Sequence, residues 1–246
     1  MEVSEYRNMY NQESNFWWYT VLHHLIISVI KQNKNSIHSI FDAGCGTGRL
    51  LELLKDFGKV SGVDMSDEAI KFCHKRGLKN VEKNNLNDWD PKIERYNAIT
   101  CIDVLYHIGI KDDKQVLQKF YNVLKHDGLL ILNLPAFKIL ERGHDKIVHT
   151  KRRYKRKDLI SKLNEIGFEI KIASYRLPHA FIILLIKKVV ERSKKMKPKS
   201  DVNNGTLVGN WLGNFLGRIE NYFILNIGSI PFGSSIFIVA SKKKSV

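Results

Sequence analysis

The sequence predicts an α/β fold built on a doubly wound, mostly parallel sheet. Three observations predict it. First, an apolar run, Ile37–Phe41, leads into Gly44, Gly46 and Gly48 and then into the helical stripe Leu50, Leu51, Leu53 and Leu54. Strand, tight glycine turn and helix form a nucleotide cradle, because glycine lets the backbone approach a ligand and the helix presents free N–H groups. Second, the next strand, Lys59–Asp64, ends in an acid twenty residues after Gly44, where ribose hydroxyls are bound in such cradles. Third, strand-like and helix-like segments alternate, as right-handed crossovers between parallel strands require.

Each element follows from its local pattern. Residues 1–35 read as a helical lead-in: the aromatic cluster Phe16-Trp17-Trp18-Tyr19 precedes Leu22, Leu25, Ile26, Val29 and Ile30 at helical spacing. Trp17 and Trp18 are adjacent, so they cannot share one inward stripe, and one of them is expected to line a ligand pocket. Ser66 suits the N-cap of a helix over Ala69–Arg76. Leu78–Lys83 and Tyr96–Ile102 read as strands three and four, with Asn84–Asp88 a loop. Asp112–Lys125 is amphipathic through Val116, Leu117, Phe120 and Leu124, and His126-Asp127-Gly128 reads as its C-cap. Leu129–Leu134 is the fifth strand. The alternation then stops for some twenty residues. It resumes with a helix over Asp158–Ile166, a strand over Phe168–Tyr175, apolar runs at Phe181–Ile186 and Trp211–Leu225, and a final strand at Ser235–Ala240. Ser193–Asn204 reads as a polar, Lys-rich linker.

At 246 residues the chain suits one large domain with insertions. We divide it into the lead-in 1–35 and a domain 36–246, whose insertions 136–157 and 177–232 form a substrate cap. Three scattered cysteines, Cys45, Cys73 and Cys101, imply neither a disulfide framework nor a zinc site and suit a reducing cytoplasm. The polar start, Met1–Glu5, has no signal-peptide character, and no apolar run approaches the about 20 residues that span a bilayer. The net charge is +15, and residues 138–199 hold 19 Lys and Arg against 6 Asp and Glu. That localised field suits an anionic partner; a solvated Lys-rich surface is the plainer reading of Lys187–Lys199.

The motif Asp42-Ala43-Gly44-Cys45-Gly46-Thr47-Gly48 resembles the first motif of class I S-adenosylmethionine-dependent methyltransferases. Asp64 matches that family's ribose-binding acid, Asp103-Val104-Leu105-Tyr106-His107 the segment after its fourth strand, and Leu124–Gly128 the turn before its fifth. The order and spacing agree over residues 37–135, and the last strand matches the family's reversed seventh strand. The resemblance implies a Rossmann-like, seven-stranded methyltransferase fold with S-adenosylmethionine as cofactor and S-adenosylhomocysteine as product. It places Gly44, Cys45 and Gly46 at the methionine moiety, Asp42 at its amino group or at the loop, Asp64 at the ribose, Met65 on the adenine, and Asn85-Leu86 at the adenine edge, with Asp103 beside them. Many relatives carry Asp at Asn85 and Glu at Tyr106. Glu13 with Phe16–Tyr19 resembles an N-terminal "E…WWF" signature, His144-Asp145…His149…Arg152-Arg153-Tyr154 an "HD…H.RRY" signature, and Pro231–Ser235 a "P.G.S" turn. This narrower subgroup is met in glycan, lipid-linked sugar and natural-product pathways.

Methyl transfer from a sulfonium needs an aligned nucleophile, and a hydroxyl acceptor profits from a base near neutral pKa. The expected base is His149, oriented by His144 or Asp145, with His107 within reach. Arg152 and Arg153 are expected to clamp a phosphate or carboxylate, with Tyr154, Tyr106, Trp17 and Trp18 in the same pocket. The expected acceptor is a small anionic or sugar-containing molecule: a sugar phosphate, nucleotide sugar, glycan, lipid-linked intermediate or natural product. A metal held by His144, Asp145 and His149 is disfavoured, because helical i, i+4 spacing and a second carboxylate are lacking. An RNA methyltransferase is the rival suggested by the basic segment, although no RNA-binding module or flipped-base motif accompanies it. A non-catalytic cofactor-binding protein is the other rival. Phe181–Ile186 with Lys187 and Lys188 suits a lid, a dimer contact or an interfacial membrane contact within 177–199. The expected state is a monomer or homodimer in the cytoplasm, with membrane-peripheral attachment left open.

Overall fold

The computed structural model describes residues 3–90, 96–193 and 206–243. The expected linker Ser193–Asn204 lies, except for Ser193, outside them. In chain order the elements are α1 (Val3–Gln12), α2 (Trp17–Gln32), β1 (Ser39–Ala43), α3 (Arg49–Leu54), β2 (Lys59–Asp64), α4 (Asp67–Lys75), β3 (Val81–Lys83), β4 (Tyr96–Ile102), α5 (Asp113–Val123), β5 (Leu124–Pro135), α6 (Gly143–Ile147), α7 (Arg156–Ile166), β6 (Phe168–Arg176), α8 (Pro178–Ser193), α9 (Leu207–Asn226) and β7 (Ser235–Lys242).

The seven strands form one sheet in the order β3-β2-β1-β4-β5-β7-β6. All pairs among β1 to β5 are parallel, and β7 runs antiparallel between β5 and β6. The expected reversed last strand is therefore present. Parallel strands must be covered on both faces, and two cores do this. One gathers Phe41, Ile99, Val116, Phe120 and Leu163 between the sheet and α5 and α7. The other packs Leu22, Leu25, Ile26 and Ile30 of α2 on Ile40, Ile131 and Phe237.

Order and spacing agree with the sequence, and one boundary is corrected. The segment His126–Gly128 does not cap α5. The helix ends at Val123, and the extended Leu124 opens β5, pairing with Tyr96 before the register shifts and pairing resumes at Ala98 with Leu129. Asp127, not Gly128, takes the positive φ of 59°. A Cβ on Gly128 would sit 2.8 Å from the Lys125 carbonyl oxygen, so the glycine serves a close approach inside a bulge.

Candidate active site

A cavity of about 550 Å³ opens where β1, β2, β4 and β5 end, at the carboxyl ends of the parallel strands where open α/β sheets bind ligands. Its floor is made by the strand-end motifs. Asp42, Gly44, Cys45, Gly46, Asp64, Met65, Asn85, Leu86 and Asp103 all line it.

The glycine loop is held by the neighbouring strand. The N–H groups of Gly44 and Cys45 both donate to the Val63 carbonyl, at 2.8 and 2.9 Å, and Gly46 N–H donates to Asp64 Oδ2 at 3.0 Å. Gly44 has a φ of 82°, and a Cβ there would lie 2.3 Å from Val104 Cγ2. Both facts demand glycine. Cys45 packs its thiol in a small core, 3.9 Å from the Cys73 sulfur.

Three carboxyl groups are buried around this floor. Asp42 accepts a hydrogen bond from Thr100 Oγ1 at 2.6 Å, yet burial pushes its pKa up to about 7. Asp103, held at a φ of 55°, accepts one from Asn133 Nδ2 at 3.0 Å, and burial again raises its pKa to about 7. Asp64 is raised by burial against the lowering effect of the Ser66 and Gly46 N–H groups. Each carboxylate is disfavoured by lost hydration, so a cationic ligand in the cavity stabilises all three.

The sequence reading assigned no role to α1 and named Glu13, just after it, only as part of a signature. Tyr6, Met9 and Glu13 line the cavity, and Tyr6 OH donates to Asp64 Oδ1 at 3.3 Å. Glu13 is 4% exposed, accepts from Thr47 Oγ1 and pairs with Arg76 at 2.7 Å. Arg76 Nε also donates to the Thr47 carbonyl at 3.0 Å. This cluster straps the lead-in to the glycine loop. The available signal was the i, i+3, i+7 stripe Tyr6, Met9, Glu13.

Beyond the floor the wall becomes aromatic and aliphatic. Trp17, Trp18, Tyr106, Leu177, Ala180 and Ile183 line the cavity there, while Arg142, His144 and Lys187 add basic groups. Trp17 and Trp18 both line it. They turn different sides to the protein: Trp17 lies 5.7 Å from the His179 ring and covers Gly213, whereas Trp18 packs on Tyr19 and the α2 core.

The "HD…H.RRY" segment is only partly where the sequence reading put it. His144, Asp145 and Arg153 line the cavity; His149, Arg152 and Tyr154 do not. His149 has a φ of 54°, is exposed, and stacks on His107 at 5.7 Å. Asp145 and Arg153 grip each other through two bonds of 2.9 and 3.0 Å, and Arg153 also donates to the Ala136 carbonyl. This fork neutralises both groups, so Arg153 is no open anion clamp. It also engages Asp145, one of the two residues expected to orient His149 or the substrate, with Arg153. Arg152 donates to the Ile110 carbonyl at 2.7 Å and faces Asp113 at 3.4 Å. The buried Tyr154 hydroxyl lies 2.9 Å from Asp113 Oδ2 and 3.1 Å from the Leu105 carbonyl. These residues clasp the 143–154 segment to the 103–113 segment, aided by Ile108 N–H to the His149 carbonyl and Lys151 N–H to that of Tyr106. His107 lines the cavity, but its Nδ1 accepts the Gly109 N–H at 2.9 Å, and burial lowers its pKa to about 4. Its Nδ1 thereby holds the turn at Gly109.

Residues 40–128 match a family described as a methyltransferase domain. The ubiquinone biosynthesis O-methyltransferase of Haemophilus ducreyi is 27% identical over 145 residues, covering 50% of this chain and 61% of that protein. The chain thus spans less than two thirds of the curated relatives it matches first. An S-adenosylmethionine-dependent methyltransferase from Clostridium acetobutylicum superposes with a TM-score of 0.60 at 16% identity, covering 92% of each chain. A plantazolicin methyltransferase, solved with a triazolic desmethyl analogue and SAH, gives 0.63 at 14% identity over 98% of this chain and 91% of that one. Residues 40–128 thus match a methyltransferase-domain family, and the strand order and these superpositions show the Rossmann-like fold of class I S-adenosylmethionine-dependent methyltransferases.

Proposed function

We propose that the protein transfers a methyl group from S-adenosylmethionine to an oxygen of an amphipathic acceptor with an apolar or aromatic body and an anionic group. The observation that carries this is a single cavity with two chemically distinct ends: buried carboxyls and glycine loop at one, aromatic and aliphatic wall with basic residues at the other. The residues fit the cofactor, because a sulfonium with an ammonium group supplies the positive charge that Asp42, Asp64 and Asp103 lack. Asp64 holds the ribose, Asp42 and the Gly44–Gly46 backbone the methionine end, and Met65, Asn85 and Leu86 the adenine. Among the acceptors the sequence suggests, a lipid-linked intermediate suits this wall better than a bare sugar phosphate.

When bound, the sulfonium supplies an activated methyl group, so the chain's own task is alignment and removal of one proton. Trp17, Trp18 and Tyr106 hold the acceptor and exclude water. His144 takes the role expected of His149, since it reaches the cavity, and Lys187 and Arg142 attract the acceptor's anionic group. The segments 136–157 and 177–232 act as the substrate cap. We place the protein in the cytoplasm, where its three buried free cysteines remain reduced.

Calorimetry with S-adenosylmethionine and a methyl-transfer assay over amphipathic phenols and lipid-linked sugars test this reading. Asp64→Ala should abolish binding, and His144→Gln should lower turnover while leaving cofactor affinity intact. His149→Gln should change turnover by less than about twofold. Absence of cofactor binding would refute the proposal, and unchanged turnover in His144→Gln would remove that residue from it.

A further inference from the structure

We infer that α9, with the outer side of α8, rests on an anionic lipid surface. The α9 helix is patterned inside out. Soluble surface helices turn large apolar residues to the core and polar ones to water. Here Val208, Trp211, Leu212, Phe215, Ile219 and Tyr222 are exposed, whereas Gly213, Gly217, Glu220 and Asn221 are buried, with Ile224 the one large apolar residue among them. On α8, Ile182, Ile183, Ile186 and Val189 are exposed as well. Exposed apolar surface on this scale marks an interaction site.

The occupant is read from how α9 packs inward. Gly213 and Gly217 bring it onto α2 so closely that a Cβ would lie 2.4 Å from Trp17 and 2.5 Å from Val21. Polar bonds fill the same seam: Thr20 Oγ1 to Asn214 Oδ1 at 2.8 Å, Asn221 Nδ2 to the Val21 carbonyl at 2.8 Å, and Trp17 N–H to Asn210 Oδ1 at 3.3 Å. Small residues and side-chain hydrogen bonds between helices, with large apolar residues outside, is how helices pair when lipid is the solvent. No helix among the described residues is long and apolar enough to cross a membrane, so α9 lies in the interface plane.

Charge favours an anionic bilayer over a second copy of the chain. Lys187 and Lys188 lie on α8 and Arg218 is exposed on α9. Lys187, Lys188 and Arg218 would meet their own kind across a dimer interface but complement acidic headgroups, each cation near the surface adding to the attraction. The surface is also continuous with the cavity, since Ile183 and Lys187 belong to its wall. Resting on the proposed function, this lets an acceptor anchored in the bilayer reach the active site without leaving it.

The test is co-sedimentation of the full chain, without cofactor or acceptor, with vesicles of phosphatidylcholine alone or mixed equally with phosphatidylglycerol. Binding is expected to the mixed vesicles and to weaken as salt rises. Trp211→Ser with Phe215→Ser, both on exposed positions, should weaken it by about tenfold or more. Lys188→Glu with Arg218→Glu should do likewise. Cofactor affinity of both variants should stay at the wild-type value, which separates this surface from the active site. Equal binding of wild type and the Ser variant, no binding to the mixed vesicles, or a dimer abolished by the Ser substitutions in a chain that ignores vesicles would each overturn the inference.

Discussion

Gly44→Ala probes the tightest point of the candidate site. The residue stands at a φ of 82°, where an L side chain costs about 1–2 kcal/mol. The new methyl would meet Val104 Cγ2 at 2.3 Å, Cγ1 at 3.0 Å and Cβ at 3.2 Å, an overlap that overpacking data put at about 1–3 kcal/mol. Together the two effects remove about 2–5 kcal/mol, and at about 1.4 kcal/mol per tenfold this is a loss of about thirtyfold or more in cofactor affinity if the loop yields rather than the fold. Adding Val104→Ala separates the contributions. It deletes the 2.3 and 3.0 Å contacts and leaves the 3.2 Å one, so the double variant should recover about 1–3 kcal/mol over Gly44→Ala alone. The backbone cost remains. Urea unfolding of the four proteins, with calorimetry of S-adenosylmethionine binding, reads both quantities. A double variant no better than Gly44→Ala would mean that Val104 is not the obstacle and that the loop is held by something else.

Three further outcomes follow from the buried charges. Burial lifts Asp42 and Asp103 to about 7, above their unfolded value of about 4. The native state therefore binds extra protons between those limits, and the stability of the cofactor-free protein should fall as pH rises from about 4 to about 7. A cationic ligand selects the ionised forms, so cofactor affinity should rise over the same window, by up to about tenfold per pH unit for each proton released, and then level off above it; calorimetry in buffers of different ionisation enthalpy counts those protons, and an affinity flat from pH 5.5 to 8 would contradict it. Glu13→Gln removes the buried partner of Arg76 and should cost about 3 kcal/mol of stability, with weaker cofactor binding because the glycine loop loses its strap; a melting curve like that of wild type would show the pair to be inert. Asp145→Ala should destabilise the 143–154 segment by a similar amount, seen as faster hydrogen exchange there, since, of its bonds to Asp145 and Ala136, Arg153 keeps only the one to the Ala136 carbonyl.

What the sequence reveals of this molecule depends on the range of the interactions that set each feature. Asp42, the glycines and Asp64 are fixed by short spacing on consecutive strand ends, so their arrival at one cavity follows from the parallel alternation itself. The clasp residues obey a different logic. In sequence Asp145 reads as an orienting carboxylate and Arg153 as an anion clamp, because a carboxylate and a guanidinium are equally suited to each other and to a ligand. Only the fold shows that they satisfy each other. Arg176 makes the same point more sharply: it is fully buried, donates to Asn133 Oδ1 at 3.2 Å and faces Glu220 of α9 at 3.4 Å, partners 43 and 44 positions away. Asn133 in turn bonds Asp103. Polar groups thus lead from the cavity floor to the inner side of α9, where only Ile224 of its large apolar residues is buried and most of the others lie outside. The inversion of α9 is therefore a consequence of where its one carboxylate is needed. Glu220→Gln tests this directly: stranding the Arg176 charge should cost about 3–5 kcal/mol, whereas Trp211→Ser on the opposite side should cost less than about 0.5 kcal/mol in the absence of lipid. If the two substitutions destabilised the protein equally, the outer side of α9 would be part of the core, and the reading of that helix as a surface for lipid would fail with it.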